Sequence, residues 1–519
     1  MRFRFTGKQA VRAGGCVLFC LIVCAVTFLN RTLILEPAAD FLRGSSFEEA
    51  KNTLEKNLLG ERLRGRDELL SLNGGYAGLQ GRTLYNNVQR MTNGMLASPT
   101  ETLEDTESFV NSLDRFYRFL EGRGIPFLFV LAPYKQPTEE SLLPPGVTDR
   151  TNEIADRTLE MLSERNVPFL DLRESMSRTA EQVEKFFYRT DHHWNAEGSF
   201  LAFQQIMEAV RAWFPDTKTT WADASRWEKY VLPRWWLGSQ GKRVGPLYAG
   251  VEDLDWYLPA FETEMTRYSP GIWAFKGTFR ETNIRDWYLE YSDYMKLNHY
   301  FRYLGGGYAL TYHRNTGAEN RRKLLMIGDS FKHPVEAFLS TEFTAVDVLD
   351  PRQYGMMSEA DYVRLNPPDM VLVMNFPGTL WDQGFSNLGA GGGDPVIVGE
   401  SFREELKVPA GDSGYQTLPI RLEAGKSYIL TLEGIQAEGG TPVGANVMLC
   451  DGDNVADQTI FDLDYGREFG FSWGFRVPGD GGEGAAYELR FYPGIAGDEA
   501  GTDLIYPGIR IQEVLLPKE

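Results

Sequence analysis

Cysteine and histidine are both scarce in this chain of 519 residues. Only four cysteines and five histidines occur. Cys16, Cys20 and Cys24 lie in one apolar run near the N-terminus, which leaves Cys450 alone in the rest of the chain. A single cysteine cannot form an internal disulfide, so the remainder must be stable through core packing. The few histidines also make any group that uses them easy to enumerate.

Positive charge is in short supply as well. The chain has 53 Lys and Arg against 72 Asp and Glu, a formal net charge of −19. Such an acidic chain is a poor candidate for binding nucleic acid, and the charge argues mildly against a strongly anionic substrate. The hydrophobic content of 43% is ordinary for a globular protein, which excludes disorder for most of the chain. The length predicts three or four packing units.

Long apolar runs are absent except near the N-terminus. Four basic residues within positions 2–12 precede an uncharged run of 17 residues at positions 13–29. This is the low end of the length that a membrane-spanning helix needs. The basic flank predicts a cytoplasmic N-terminus. The sequence therefore predicts a cytoplasmic stub and membrane anchor over residues 1–35, in a single-pass protein with an extracellular C-terminal ectodomain. A cleaved signal peptide is the alternative.

Helical periodicity and short apolar runs alternate over residues 50–385. A helix beginning near residue 101 is followed by a buried strand at 125–132, and a second helix covers about 152–165. Further continuous apolar runs occur at 167–172, 324–327, 344–349 and 370–374. Runs of this kind are typical of strands covered on both faces. The pattern predicts an α/β fold, a three-layer α/β/α domain with a parallel sheet.

Two regions depart from this alternation. Residues 213–320 hold eight of the eleven tryptophans, which predicts either an insertion on the ligand-binding side of the sheet or a satellite aromatic core. Residues 396–519 follow a glycine-rich linker and consist of short alternating strands, which predicts a jelly-roll-like β-sandwich. Four aromatic residues alternate with small ones at 469–475. We expect them to face the core, although a sugar-stacking face of a carbohydrate-binding module is the alternative.

A buried strand runs directly into the sequence Gly328-Asp-Ser-Phe331, after which a helix begins. Gly328 permits a sharp turn there. Ser330 is thereby placed at the carboxyl end of a strand and at the N-terminus of a helix. Unpaired backbone N–H groups at that position can hold a developing oxyanion.

A second polar motif, Asp191-His192-His193, lies on a turn before a helix that Asn195 is suited to cap. Serine is a weak nucleophile that needs a neighbouring base. Asp191 precedes His193 by two positions, so a tight turn aims its carboxylate at that ring, whereas directly adjacent side chains usually diverge. We therefore predict Ser330 as nucleophile, His193 as base and Asp191 as the orienting carboxylate. His192 is expected to be structural or to face the substrate.

Two other interpretations stay open. Asp191, His192 and His193 could ligate a metal ion, with His333 joining them, although adjacent residues rarely converge on one ion. Asp and Ser at a strand-to-helix turn also serve simply as caps. The sequence favours the serine site over both, and it predicts neither a metal nor a cofactor.

Other polar or small residues near predicted strand ends are weaker candidates. Arg352, Tyr354 or Lys135 could hold a sugar acid or an acyl oxygen, and Gly238 or Asn375 could add an oxyanion donor. Together with the residues above, the candidates for substrate or oxyanion contacts are Gly328, Arg352, Tyr354, Lys135, Asn375, Gly238 and His192.

The paired motifs at 190–195 and 328–331 resemble those of the DHHW proteins. These are relatives of the bacterial alginate O-acetylation proteins that carry an SGNH-hydrolase-like domain. In that group the D-x-H-W motif precedes the G-D-S motif, as it does here. The resemblance covers roughly residues 50–385 and includes the stretches 133–135, 238–243 and 350–354.

The resemblance implies an SGNH-like catalytic domain with a triad at Asp191, His193 and Ser330. It also implies acetyl transfer to, or removal from, hydroxyl groups of a cell-surface or exported polysaccharide. A membrane-bound O-acyltransferase usually supplies the acetyl group in such systems. Three functions follow as hypotheses: an O-acetyltransferase, a carbohydrate O-acetylesterase with the same triad, or a non-catalytic glycan-binding scaffold of an export complex.

Overall fold

A computed structural model describes most of the chain, in two compact units. One unit comprises residues 1–86 and 241–250, and the other comprises residues 87–240 and 251–519. The described residues are 14, 17, 20, 21, 23–59, 63–271, 274–389, 393–410, 414–418, 420–438, 444–479, 487–494 and 503–517.

The helices and strands of the described residues alternate first and then become mainly strands. In chain order the helices are α1 (Arg31–Leu42), α2 (Phe47–Leu59), α3 (Arg66–Leu79), α4 (Glu107–Glu121), α5 (Thr151–Glu164), α6 (Arg173–Met176), α7 (Ala180–Phe186), α8 (Ala196–Trp213), α9 (Ser239–Val244), α10 (Pro246–Ala249), α11 (Phe279–Asn283), α12 (Trp287–Glu290), α13 (Lys332–Glu342), α14 (Glu359–Leu365) and α15 (Leu463–Phe469). The strands are β1 (Leu84–Tyr85), β2 (Val88–Arg90), β3 (Leu96–Ala97), β4 (Phe127–Leu131), β5 (Phe169–Asp171), β6 (Trp227–Trp236), β7 (Glu252–Pro259), β8 (Met265–Tyr268), β9 (Phe275–Gly277), β10 (Leu310–Arg314), β11 (Asn320–Gly328), β12 (Phe343–Leu349), β13 (Met370–Asn375), β14 (Val396–Arg403), β15 (Leu406–Val408), β16 (Gln416–Thr417), β17 (Ser427–Leu432), β18 (Gln436–Glu438), β19 (Gly444–Asp451), β20 (Asn454–Asp462), β21 (Phe471–Arg476), β22 (Tyr487–Tyr492), β23 (Asp503–Tyr506) and β24 (Ile509–Leu515).

The unit that contains the N-terminal helices is tied together by two asparagine side chains. Asn30 donates to the carbonyl of Arg64 at 3.0 Å and accepts from the Arg64 N–H at 2.8 Å. Asn57 on α2 donates to the carbonyl of Leu33 on α1 at 3.1 Å. These bonds hold the two helices side by side.

The membrane anchor predicted over residues 1–35 is wrong. Within the described ranges, no helix has both the length and the apolar character needed to cross a bilayer. The physical reason lies in the uncharged run, which is short of the roughly 20 residues that a spanning helix requires. The basic positions 2–12, on which the predicted orientation depended, lie outside the described residues.

The larger unit is built on an eight-stranded mixed sheet with the order β5-β4-β13-β11-β12-β10-β8-β9. The first five strands are parallel, and β10, β8 and β9 continue the sheet in antiparallel fashion. The predicted α/β fold is confirmed. The sheet is mixed because three strands of the aromatic-rich segment extend its edge.

Strict alternation along the central strands gives the sheet two apolar faces. On β13, Met370, Leu372 and Met374 pack in a core with α7, α8 and α13. Val371 and Val373 point the other way and pack with α4, α5 and α14. Both faces are therefore covered by helices, which explains why the strands read as continuous apolar runs.

The tryptophan-rich segment contributes both core and surface rings. Strands β6 and β7 form an antiparallel hairpin. Trp227, Trp236 and Trp256 are buried, so the satellite-core interpretation holds for these rings. Trp287 has 46% of its surface exposed, and Trp273 lies outside the described residues.

The C-terminal part consists of three antiparallel sheets that share one apolar core. In this core lie Phe471, Trp473 and Phe475, as expected from their alternation. Phe469 does not share their face, because it ends α15 and is 40% exposed. Positions 390–392 of the predicted linker lie outside the described residues. Binding of carbohydrate by this region stays a prediction.

Asp347 on β12 is a buried carboxylate that joins two neighbouring strands of the central sheet and one helix. It accepts from Arg314 of β10 at 2.8 Å, from Lys323 of β11 at 2.9 Å and from the Tyr362 hydroxyl of α14 at 2.8 Å. Burial opposes its charge, but Lys323 and Arg314 hold the pKa of Asp347 down to about 2. The carboxylate is therefore ionised, and it compensates two cations within the fold.

We expect Asp347→Asn to lower the free energy of unfolding by about 3–5 kcal/mol, because it leaves a buried guanidinium without its counter-charge. Urea denaturation followed by circular dichroism measures this change. The matched control is Asp394→Asn, which breaks the exposed pair with Arg123 (2.8 Å) and should cost less than about 1 kcal/mol. Equal losses in the two variants would contradict the assignment.

Candidate active site

Ser330 stands between β11, which ends at Gly328, and α13, which begins at Lys332. A side chain at Gly328 would place its Cβ 2.5 Å from the Met374 carbonyl oxygen of the adjacent strand. The glycine is thus required by close packing of β11 against β13. This packing fixes where the chain leaves the sheet, and with it the position of Ser330.

The neighbouring Asp329 fastens this turn to the end of β13. Its Oδ1 accepts from the Phe331 N–H at 2.9 Å, and its Oδ2 accepts from the Phe376 N–H at 2.8 Å and the Thr379 hydroxyl at 2.7 Å. Burial raises the pKa of Asp329. The residue has a positioning role, since both carboxylate oxygens are occupied by the backbone and Thr379.

The loop at 187–195 brings the second motif to Ser330. It connects α7 with α8, and the Asn195 side chain caps α8 by accepting from the Gly198 N–H at 3.0 Å, as its position in the sequence suggested. An isolated bridge between Phe187 and Trp194 closes the loop at its base. The residues between them therefore form a tight loop.

Asp191, His193 and Ser330 form one hydrogen-bonded chain. The Asp191 Oδ1 lies 2.6 Å from the His193 Nδ1, and the His193 Nε2 lies 2.8 Å from the Ser330 Oγ. Asp191 Oδ1 also accepts from the His193 N–H at 3.0 Å, and its Oδ2 accepts from the Ser239 N–H at 2.6 Å. The structure thus brings together the three residues that the sequence singled out. Their catalytic roles stay a prediction.

The electrostatics of this hydrogen-bonded triad favour a neutral His193 imidazole beside a charged Asp191 carboxylate. Burial opposes charge on Asp191, but His192, His193 and the hydrogen bonds from His193 and Ser239 hold the pKa of Asp191 well below its usual value. Burial lowers the pKa of His193 even though Asp191 acts in the opposite direction. With the proton on Nδ1 facing the carboxylate, the lone pair of Nε2 faces the Ser330 hydroxyl.

Aromatic rings fix the orientation of the His193 imidazole. Tyr300 stacks on it with 3.8 Å between ring centroids and 12° between planes, and Phe331 lies at 4.9 Å. The His192 ring also lies 3.8 Å from that of His193. Its Nδ1 lies 3.1 Å from the Ser239 Oγ, and burial lowers the pKa of His192 to about 3. His192 is therefore neutral, with part of its ring exposed.

The ligand atoms of Asp191, His192 and His193 lie within 4.8 Å of one another, as a metal site would require. Both ring nitrogens of His193, however, already face Asp191 and Ser330. His333 does not belong to this group of neighbouring ligand atoms. Because both His193 nitrogens are already hydrogen-bonded, the geometry favours a proton relay over metal binding.

Lys135 is fully buried beneath the loop. Its ammonium donates to the carbonyls of Tyr188 and Arg189, both at 3.3 Å, and to the carbonyl of Asp191. The side chain has no exposed surface. A direct substrate contact, predicted from its position at a strand end, is therefore not supported.

Gly238 and Asn375, the two predicted oxyanion donors, are both engaged elsewhere. The Gly238 N–H donates to the Thr190 hydroxyl at 2.8 Å, and the Asn375 amide donates to the Thr379 hydroxyl at 3.1 Å. A Cβ at Gly238 would lie only 2.3–2.6 Å from atoms of Asp191. Gly238 thus matters because it lets two backbone segments approach closely.

Arg352 and Tyr354 also have partners within the protein. Arg352 forms a bidentate ion pair with Asp350, with hydrogen bonds of 2.9 and 2.7 Å. The Lys332 ammonium lies 3.5 Å from the same carboxylate. Tyr354 is buried in the core and packs edge-on against Tyr362. These contacts give both residues structural roles.

Sequence reasoning missed Glu252, Ser239 and Tyr300. The Glu252 carboxylate accepts from the backbone N–H groups of Arg189 and Thr190, each at 2.7 Å, and from the Thr190 hydroxyl. Glu252 and Tyr300 lie far from the loop in the sequence and form no motif with it, so no spacing signal could have revealed them. Ser239 lies within the stretch 238–243 that the resemblance includes, but it was not singled out.

The comparisons with known proteins agree with the motifs. Residues 93–230, which include Lys135, Asp191 and His193, match the family of the SGNH hydrolase-like domain of the acetyltransferase AlgX. The predicted resemblance is thereby confirmed for this part of the chain. No curated protein matches the sequence.

Several solved structures are similar to this chain. Bacillus cereus PatB1 is 20% identical, with 57% of this chain and 96% of that chain covered and a TM-score of 0.48. A DHHW family protein of Eubacterium siraeum is 16% identical, with 59% and 95% covered and a TM-score of 0.45. The O-acetyltransferase domain of Pseudomonas putida AlgJ is 14% identical, with 57% and 92% covered and a TM-score of 0.35.

We predict that Gly238→Ala abolishes most of the reactivity of Ser330, because the new Cβ displaces Asp191. A misplacement of about 1 Å can cost on the order of 100-fold in rate. The rate of Ser330 sulfonylation by phenylmethylsulfonyl fluoride, followed by mass spectrometry, measures the effect. Gly434→Ala is the control, since a Cβ there meets nothing within 4 Å. Wild-type reactivity of Ser330 in Gly238→Ala would refute the close approach of Gly238 to Asp191.

The reactivity of Ser330 should persist to lower pH than an ordinary histidine allows. Because burial lowers the pKa of His193, the ring stays unprotonated, and able to accept the serine proton, below the usual value of about 6.5. Sulfonylation rates measured from pH 4 to pH 8 should therefore show an acid limb with a midpoint under about 6.5. A midpoint above that value would contradict the predicted direction.

Proposed function

We propose that this protein is a serine O-acyltransferase that moves an acetyl group onto a hydroxyl of a polysaccharide. The observation that carries the proposal is the chain of short hydrogen bonds from Asp191 through His193 to Ser330. The match of residues 93–230 to an acetyltransferase family supports acetyl as the transferred group. The polysaccharide acceptor rests on the resemblance of the motifs.

In the first half-reaction the Ser330 Oγ attacks the carbonyl carbon of the donor. The His193 Nε2 accepts the hydroxyl proton as the carbon–oxygen bond forms. The tetrahedral intermediate then collapses, the leaving group departs and takes the proton from Nε2, and Ser330 is left acetylated. Asp191 stays ionised throughout and stabilises the transient imidazolium.

The second half-reaction reverses these roles with a new oxygen. A sugar hydroxyl gives its proton to the His193 Nε2 and attacks the acetyl carbonyl. The Ser330 Oγ leaves and regains the proton, so the enzyme returns to its starting state. If water takes the place of the sugar, the same residues act as an acetylesterase.

The developing oxyanion has a donor in the backbone N–H of Ser330. Among the described residues this N–H has no acceptor, and it lies in the turn between β11 and α13, one residue before Phe331, the N-cap of the helix. One such donor can contribute about 3 kcal/mol to the transition state. Gly238 and Asn375 are not needed for this role.

The identity of the acceptor and the source of acetyl remain proposals. The net charge of −19 favours a neutral glycan over a strongly anionic one, since like charges repel. A membrane-bound O-acyltransferase as the partner that supplies acetyl follows from the resemblance only.

Incubation of the full chain with p-nitrophenyl acetate and short neutral oligosaccharides should acetylate Ser330 and then the sugar. We expect Ser330→Ala to lose at least about 1,000-fold in nitrophenol release, because the covalent route is removed. Mass spectrometry of the protein and of the sugar locates the acetyl group. Ser401→Ala, an exposed serine of β14, is the matched control.

The products separate the competing functions. Acetylated sugar establishes transfer, whereas acetate released with no acetylated sugar establishes the esterase. An acetylation rate that is the same in the wild type and in Ser330→Ala would reject the serine mechanism and leave a glycan-binding role.

A further inference from the structure

Lys135 is a buried cation that contacts the backbone of Asp191, and the chemistry described so far does not use it. It follows β4 by four positions, at the carboxyl end of the sheet. Its three ammonium donors match three acceptors, the carbonyls of Tyr188, Arg189 and Asp191. All three acceptors belong to the loop that carries His193.

Such a cation is costly to bury, so its surroundings are informative. Asp191 and Glu252 attract the ammonium and Arg189 repels it, but burial dominates and lowers the pKa of Lys135 to about 7. An alkyl side chain of the same length would avoid this cost. It would also leave the convergent carbonyl dipoles of the loop without their donor.

We propose that Lys135 is a positioning residue for Asp191 and His193, because its ammonium holds three carbonyls of the loop that carries both. The same buried charge, held on the Asp191 carbonyl, also disfavours protonation of the neighbouring His193 ring. The inference deepens the proposed function, because His193 must be neutral to accept the serine proton. Lys135 itself touches neither substrate nor reacting atoms.

Lys135 acts on His193 in two ways, through the position of Asp191 and through its own charge. The ammonium holds the carbonyl of Asp191, whose side chain in turn holds the His193 Nδ1 at 2.6 Å. Burial is the main reason that the pKa of His193 is lowered, and the nearby positive charge of Lys135 lowers it further, while Asp191 raises it. His333 also lowers the pKa of His193, and the rings that face His193 are those of His192 and Tyr300, each 3.8 Å away.

Loss of the charge should therefore move the titration of His193 in a known direction. In Lys135→Met the loop loses three hydrogen bonds and His193 loses a repelling neighbour. The pKa of His193 should rise toward the ordinary value of about 6.5. A residue that only filled space would leave this titration unchanged.

The first measurement is an NMR titration of the full chain labelled with isotope in histidine alone. Only five histidines occur, so the His193 signal can be assigned by its loss in His193→Gln. We expect the His193 midpoint in Lys135→Met to lie at higher pH than in the wild type. The control is Lys426→Met, because Lys426 pairs with Glu423 and Glu513, both at 2.8 Å, in the C-terminal part of the chain; its midpoint should match the wild type.

The second measurement is the rate of Ser330 sulfonylation by phenylmethylsulfonyl fluoride in the same variants. Loss of loop positioning should reduce the maximum rate in Lys135→Met by about 10- to 100-fold. The acid limb of this rate should shift upward together with the NMR midpoint. Lys426→Met should change neither quantity.

A second variant keeps the test decisive if Lys135→Met does not fold. Lys135→Gln retains amide donors for the loop but carries no charge, so the upward shift of the His193 midpoint must persist. An unchanged midpoint in either folded variant overturns the inference. A shifted midpoint in a protein whose Ser330 reacts with neither sulfonyl fluoride nor ester would instead overturn the proposed function and leave the role of Lys135 intact.

Discussion

The buried carboxylate of Asp191 is the group on which the whole site depends. It accepts hydrogen bonds from the backbone and ring of His193 and from the backbone of Ser239, so it fixes the imidazole and joins two distant chain segments. A charge in this position is stable only while every partner stays in place. The absence of a side chain at Gly238 and the ammonium of Lys135 preserve this arrangement.

The central sheet supplies the frame for these contacts. The parallel strands β4, β13 and β11 end at one edge, and each of them delivers a different component there. Lys135 follows β4, the anchor of Asp329 follows β13, and Ser330 follows β11. The carboxyl edge of such a sheet is where α/β proteins place ligands. Only the loop with His193 comes from a connection between helices.

A polar network behind the loop supports it from the opposite side. The Tyr188 hydroxyl donates to Asp255 at 2.6 Å and accepts from Arg302 at 2.9 Å. Two residues before Arg302, the ring of Tyr300 stacks on His193. The tryptophan-rich segment therefore contributes to the site through these buried contacts as well as through its strands in the sheet.

The amino-acid sequence by itself determined the alternation of elements, the Gly-Asp-Ser turn and the pairing of Asp191 with His193, because each depends on local spacing. It predicted a membrane anchor near the N-terminus, whereas no helix in the described part of the chain is long and apolar enough to cross a bilayer. Only the tertiary structure decided that Lys135 and Gly238 support the loop and that Glu252 and Tyr300 belong to the site. Those contacts join residues far apart in the chain, and their partners are backbone groups or ring faces that leave no pattern in the sequence.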